Sequence, residues 1–252
     1  MIAIRSPKEL ELLREANRIV ACVLETIADL VRPGVSTAEL DREAERLIRA
    51  MGATPSFKGY RGYPSSICAS VDESVVHEIP SERVLGDGEI VSIDIGTVYR
   101  GYCGDAAVTV PVGRASAEKR KLMRVTSRAL TLGVKAARAG NRIVDISRAI
   151  QAEVERNGFA VIRQFVGHGI GTSPHEEPQV PNFVTSSSGP QLKAGMVLSI
   201  EPMVSAGAAD VEILEDTWTA VTVDKKPAAH FEHTIAIRDG EPEVLTLCRL
   251  KR

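Results

Sequence analysis

"RPGVSTAELDREAERLIRAMG", residues 32–52, returns in altered form 106 residues later as "RAGNRIVDISRAIQAEVERNG", residues 138–158. Both open on Arg-x-Gly, run through mixed apolar and charged residues, and close on a glycine (Gly52, Gly158) suited to the left-handed position after a helix end. "GEIVSID" (88–94) and "GMVLSIE" (195–201) match at an offset of 107, each with a glycine, an apolar run, Ser-Ile and then an acid. Either match alone carries little weight. Two unrelated segments that agree on the offset to within one residue indicate an internal duplication. One pseudo-symmetric domain over 1–252 is therefore expected, with halves at about 7–112 and 116–248.

The rest of the chain reads as α+β. Ser6-Pro7-Lys8-Glu9 combines an N-cap serine, a proline at the first helical position and a capping-box glutamate, which predicts a helix from about Pro7 to about Val31. Ser36 and Glu39 repeat that spacing. A third helix is expected in 117–140 and a fourth over about 143–157. Strands are expected at "IVSIDIG", "AAVTVPV", "AVIRQFV", "MVLSIEP", "WTAVTV", "HFEHTIAI" and "EVLTL", apolar or alternating runs bounded by Gly, Pro or Asp.

Composition excludes some functions. Thirty-one basic residues stand against thirty-three acidic ones with no long run of either sign, so no nucleic-acid or anionic-membrane surface is indicated. The N-terminus lacks the cationic stretch and apolar core of an export signal, and no segment offers the 18 or so apolar residues that span a bilayer. The four cysteines, Cys22, Cys68, Cys103 and Cys248, form no C-x-x-C pair. Free thiols in a reducing, cytoplasmic setting are expected.

The two repeated strands carry Asp94 and Glu201 at matching positions after their apolar runs. A carboxylate there needs a partner, because burying it unpaired costs several kcal/mol or forces it to protonate. Asp105 follows across "IGTVYRGYCG", which reads as a hairpin connection that sets the two aspartates opposite each other. In "HFEHTIAI" the alternation sends Phe231, His233, Ile235 and Ile237 to one face and Glu232, Thr234 and Ala236 to the other, so Glu232 can join the cluster. Four carboxylates carry about −4, which two divalent cations would neutralise. His168, in "GHGIGTSPHEEP" (167–178), supplies a fifth donor, and a mostly hard-oxygen set with one imidazole suits Mn²⁺, Fe²⁺, Co²⁺ or Zn²⁺.

Asp94, Asp105, His168, Glu201 and Glu232, in that order and spacing, resemble the five metal ligands of the type I methionine aminopeptidases. The likeness runs over nearly the whole chain and includes "SICASVDESVVHEIP", "GHGIGTSPHEEP", "MVLSIEPM" and "FEHTIAI". It implies the pita-bread fold, a pseudo-twofold α+β domain whose antiparallel sheet is covered by helices, with two divalent metal ions between the halves. It also implies removal of the initiator methionine from nascent proteins and peptides when the second residue is small. Carried over by position, Asp94 and Asp105 would hold one metal, His168 and Glu201 the other, and Asp105 and Glu232 would bridge them. Glu201 would take the nucleophile's proton, His175 would hydrogen-bond the developing oxyanion or the peptide, and His77 would contact the peptide beyond its first residue. Tyr60, Tyr63, Cys68 and Trp218 would surround the methionine side chain, where an apolar, aromatic wall suits a flexible thioether. Cys22, Cys103, Cys248 and His233 are read as structural. Any ribosome contact would use the folded domain's own surface, and a monomer is expected.

Three positions depart from the family's usual pattern. Glu78 follows His77 where glycine is common, which is expected to place a side chain and a negative charge near the entrance. Pro174 stands before His175 in place of a frequent aromatic, and Phe57 where some members have cysteine. A specialised, slower paralogue, activated by Glu78→Gly, is the alternative these suggest. The other rivals are a proline-specific pita-bread peptidase, which usually carries an additional N-terminal domain, and a non-catalytic binding module, which is expected to lose ligands.

Overall fold

In a computed structural model of the chain, which describes residues 2–248, four helices pack on antiparallel sheets. Helix α1 spans Pro7–Leu30 and α2 Thr37–Ala50, each opened by the expected capping box, Ser6 with Glu9 and Ser36 with Glu39. Helices α3 (Ala117–Ala136) and α4 (Ile143–Arg156) repeat the pair in the second half. Gly52 and Gly158 take φ of 76° and 81°, the left-handed values the sequence asks of them.

In the first half, β1 (Ile67–Val71), β2 (Ile90–Tyr99) and β3 (Tyr102–Pro111) form one sheet with β2 in the middle. In the second, β4 (Gly167–Gly169), β5 (Glu176–Val180) and β6 (Val197–Ile200) form another, while β7 (Met203–Ser205) pairs with β8 (Ala228–His230). Strand β9 (His233–Ala236) returns to pair with β6. The duplication shows in the smallest contacts: Ser36 bridges Val84 as Arg142 bridges Gln191, and Gly34 N donates to Leu85 O as Gly140 N donates to Leu192 O. The chain thus folds as a pita-bread α+β structure with pseudo-twofold halves.

Strand parity separates core from site. On β2, Val91, Ile93 and Ile95 join α1 and α2 residues such as Ile19, Val23, Leu40 and Ile48 in one core. On β6 and β9, Leu198, Ile200 and Ile235 join Leu122, Val125, Ile146 and Ile150 of α3 and α4 in a second. The alternate residues, Ser92, Asp94, Asp105, Ser199 and Thr234, therefore face the space between the halves. Helix α1 lies so close to β3 that a Cβ at Gly104 would come 2.7 Å from the Ala16 carbonyl carbon. Only glycine fits there.

Five expectations need correction. "HFEHTIAI" and the residues before it form two strands rather than one, because the chain leaves β7 at His230 and joins β6 from His233. "WTAVTV" is a strand only over Ala220–Thr222; Trp218 sits in the preceding turn, where its N–H donates to Asp216 Oδ1 at 2.9 Å. "AVIRQFV" and "EVLTL" shrink to pairs at 160–161 and 243–244. Cys22 and Cys248 are joined in a disulfide across 226 residues, while Cys68 and Cys103 are free and buried. A link that long leaves no local spacing signal, so the all-thiol expectation fails. No helix among the described residues is long and apolar enough to cross a membrane.

Candidate active site

A cavity of about 310 Å³ opens between the halves and is lined by Asp94, Asp105, His168, Glu201 and Glu232, together with His77 and His175. Tyr60, Tyr63, Cys68 and Trp218 line the same space, with Phe57 and Arg61. Every residue singled out as ligand, catalyst or pocket wall is thus brought to one place.

The candidate donor groups reach it from both halves. Asp94 stands on β2 beside Cys68 of β1 and Ala107 of β3. Asp105 pairs with Gly96, so the two aspartates are diagonal neighbours on one face and not directly opposed. The difference comes from the hairpin: Arg100 and Gly101, both with positive φ, make a two-residue turn that sets Tyr99 against Tyr102. Asn17 of α1 steadies the second aspartate, its Oδ1 accepting from Asp105 N at 3.2 Å. Glu201 follows β6 directly, and its carbonyl accepts from Asn182 Nδ2 at 3.0 Å. Glu232 precedes β9, is 3% exposed, and accepts a hydrogen bond from Ser199 Oγ.

His168 occupies β4 between two glycines that close packing requires. A Cβ at Gly167 would collide with the Ser199 carbonyl, and one at Gly169 with the Glu177 carbonyl. His168 Nδ1 lies 3.0 Å from Gly169 O. A carbonyl only accepts, so Nδ1 carries the proton and Nε2 keeps its lone pair for the cavity. That Nε2 is 3.3 Å from Glu201 Oε1. Burial, and then His175, lowers His168 to about 3, so the ring is neutral.

The donor set fits a cation. Ligand atoms of Asp105, His168 and Glu232 lie within 4.8 Å of one another. Asp94 Oδ1 and Asp105 Oδ1 are buried with no hydrogen-bond partner. Burial raises all four carboxyls, and neighbouring carboxylates raise three of them further: Asp105 through Glu232, Asp94 and Glu201, Glu201 through Glu232 and Asp94, and Glu232 through Asp94. Uncompensated, such a cluster is costly, and divalent charge removes the cost.

Around it, Glu176 fixes the loop that presents His175 by accepting from Thr172 N at 2.9 Å and Ser173 N at 3.1 Å, and it pairs with Arg5. His175 Nδ1 is 3.1 Å from Tyr60 Oη, and its ring lies 4.4 Å from that of His168. His77, at φ 63°, packs edge-on against Phe165, and burial followed by His175 lowers it to about 4. Tyr63 donates to Ile67 O and Glu78 O and meets Trp218 edge to face at 5.1 Å.

Glu78 does not point into the cavity. Its Oε2 accepts from Val71 N at 2.8 Å and its Oε1 pairs with Arg83 at 3.3 Å, so the extra charge expected at the entrance is absorbed behind it. Pro174 contributes nothing to the lining. Sequence reasoning missed Arg61, which the flanking glycines in "GYRG" signal, and His230, which ends β8 just before the chain changes partner strand and so carries no alternation signal. His230 is 2% exposed, its Nε2 lies 3.7 Å from Glu201 Oε2, and burial lowers it to about 3.

The chain as a whole is similar to known proteins. The model of metallopeptidase family M24 matches residues 11–239. Methionine aminopeptidase 1 of Bacillus subtilis is 52% identical over 246 residues, covering 98% of this chain and 99% of the relative. The crystal structure of methionine aminopeptidase from Thermotoga maritima superposes with a TM-score of 0.96 at 44% identity, over 98% and 99% of the two chains. The prolidase of Pyrococcus horikoshii shares the fold at a TM-score of 0.80 and 21% identity, and only 64% of that longer chain is covered.

Proposed function

The chain belongs to metallopeptidase family M24, among its type I methionine aminopeptidases, and from that premise we propose how its site removes an N-terminal methionine and which peptides it takes. The enzyme is a metal-dependent hydrolase. The observation that carries the site assignment is the convergence of five donors on one cavity, three of them (Asp105, His168 and Glu232) buried, with unpartnered aspartate oxygens.

Asp94 and Asp105 would hold one divalent ion, His168 and Glu201 a second, and Asp105 and Glu232 would be shared between them. Cations of this kind (Co²⁺, Mn²⁺, Fe²⁺ or Zn²⁺) supply Lewis acidity that polarises the scissile carbonyl and acidifies the attacking water. Glu201 accepts the proton that the water gives up and returns it to the leaving amine. His175, neutral because burial and then Arg61 lower it, carries one N–H. When Tyr60 Oη–H donates to Nδ1, that proton sits on Nε2, free to donate to the carbonyl oxygen as charge develops there. His77 contacts the peptide after its first residue.

Tyr60, Tyr63, Cys68 and Trp218 enclose the methionine side chain, whose burial is worth about 1.5–3 kcal/mol. The depth of this wall and the crowding by His77 and His175 favour a small second residue. Nascent chains in the cytoplasm are the natural substrates, processed by a monomer; any ribosome contact would use its folded surface, and residues 7–112 and 116–248 act as halves of one catalytic unit. Metal-stripped protein reloaded with Mn²⁺ should release methionine from Met-Ala-Ser, far less from Met-Leu-Ser, and no alanine from Ala-Pro-Ser. Equal turnover of the two methionyl peptides would remove the small-residue rule, and alanine release would favour the proline-specific reading.

A further inference from the structure

Two imidazoles bracket the Glu201 carboxylate: His168 Nε2 lies 3.3 Å from Oε1 and His230 Nε2 lies 3.7 Å from Oε2. The first belongs to the ligand set. The second has no part in the chemistry described so far.

His230 closes β8, and its backbone is held on both sides by Thr109, whose hydroxyl accepts from His230 N and donates to His230 O, each at 2.8 Å. Its neighbours on the strand, Ala228 and Ala229, are apolar and buried. The ring nitrogen Nε2 is buried with no hydrogen-bond partner. A polar atom in that position is costly unless it finds a partner, and an apolar side chain would fill the space without that cost. Glu201 Oε2 is the acceptor within reach. The separation exceeds the roughly 3.2 Å of a made bond, as catalytic hydrogen bonds commonly do before the site is occupied. Glu201 lines the cavity and His230 does not, so His230 stands behind Glu201 rather than around a cation.

We propose that His230 is a positioning residue for the hydrolysis: its Nε2–H donates to Glu201 Oε2 and so fixes which way Glu201 presents its two oxygens. The inference rests on the reading of Glu201 as ligand and proton acceptor. Donors behind a metal-ligating carboxylate orient it, and their loss typically costs about 10–100-fold in metal affinity or activity.

The test compares H230L, which fills the space without a donor, with H230Q, whose amide N–H reaches about as far as Nε2. Mn²⁺ binding to metal-stripped protein is measured by calorimetry, with kcat and KM for Met-Ala-Ser and thermal unfolding of the metal-free form. H230L should bind Mn²⁺ and turn over about 10–100-fold more weakly. Its KM should stay near wild type, its metal-free midpoint should not fall, and H230Q should recover most of both losses. If H230L does not fold, H230M, unbranched and donor-free, replaces it. Wild-type Mn²⁺ affinity and kcat in the donor-free variant would overturn the proposal, and so would H230Q as impaired as that variant, because the ring and not its N–H would then matter. E201Q is run beside them: if it binds Mn²⁺ and turns over normally, the assignment of Glu201 itself fails, whatever His230 does.

Discussion

Asp94 and Asp105 lie diagonally across the β2–β3 ladder, Asp94 beside Ala107 and Asp105 beside Gly96, with both carboxylates on the face turned away from the helices. Diagonal partners stand about 7–8 Å apart, close enough to repel and far enough to admit a cation. Burial and the neighbouring carboxylates raise Asp105 well above its usual range. Asp105→Asn removes that repulsion. The metal-free variant should melt a few degrees higher than metal-free wild type, at about 2–4 °C per kcal/mol, while methionine release disappears. A lower midpoint would mean that the cluster is not strained without metal.

The Tyr60–His175 contact predicts a loss in kcat. Tyr60→Phe keeps the ring in the wall and removes the hydroxyl 3.1 Å from Nδ1. A hydrogen bond of about 0.5–1.5 kcal/mol corresponds to roughly a two- to tenfold fall in kcat with little change in KM. Unchanged kcat would separate His175 from Tyr60.

Glu78→Gly should destabilise the enzyme rather than activate it. The carboxylate accepts from the N–H of fully buried Val71 and pairs with Arg83, and it lies outside the cavity lining. Leaving that N–H unpaired costs about 1–3 kcal/mol, which differential scanning calorimetry would read as a drop of several degrees. A faster enzyme with an unaltered midpoint would reinstate Glu78 as a gate.

Glu45 gives a pH signature. Hydrogen bonds first from Lys58 and then from Arg49 hold it down at about 2, below its ordinary 4.5, and Ser66 Oγ also donates to it, so it ties α2 to both ends of the loop carrying Tyr60 and Tyr63. A depressed carboxyl contributes stability above its unfolded value that is lost as the pH falls towards its folded one. Because the group is partly solvated, the contribution is about 1 kcal/mol. Glu45→Gln should melt below wild type at pH 6, and the gap should close as the pH is lowered from 5 towards 2. A gap constant with pH would contradict the ion-pair origin.

Local chemistry made much of this legible from residues alone. Capping boxes at Ser6 and Ser36 set helix starts because the signals lie within four residues of each other. The repeat exposed the pseudo-symmetry and put Asp94 and Glu201 at matching strand ends, and the alternation in "HFEHTIAI" pointed to Glu232. Pairing across distance was less visible. Nothing near Phe231 announces that the chain changes partner strand there, nor does Cys22 carry a mark of Cys248. One feature was within reach but unread: the Arg100-Gly101 turn, which fixes the aspartate register.

Methionine release from Met-Ala-Ser, followed while Mn²⁺ is titrated into metal-stripped protein, tests the metal-dependent site most directly, with Asp105→Ala and His168→Ala alongside. Wild-type activity should rise from near zero to a plateau as metal is added, and both variants should stay flat at metal concentrations that saturate wild type. Turnover by the stripped enzyme, or a plateau in Asp105→Ala equal to that of wild type, would contradict the assignment of the cavity between the halves as the seat of hydrolysis.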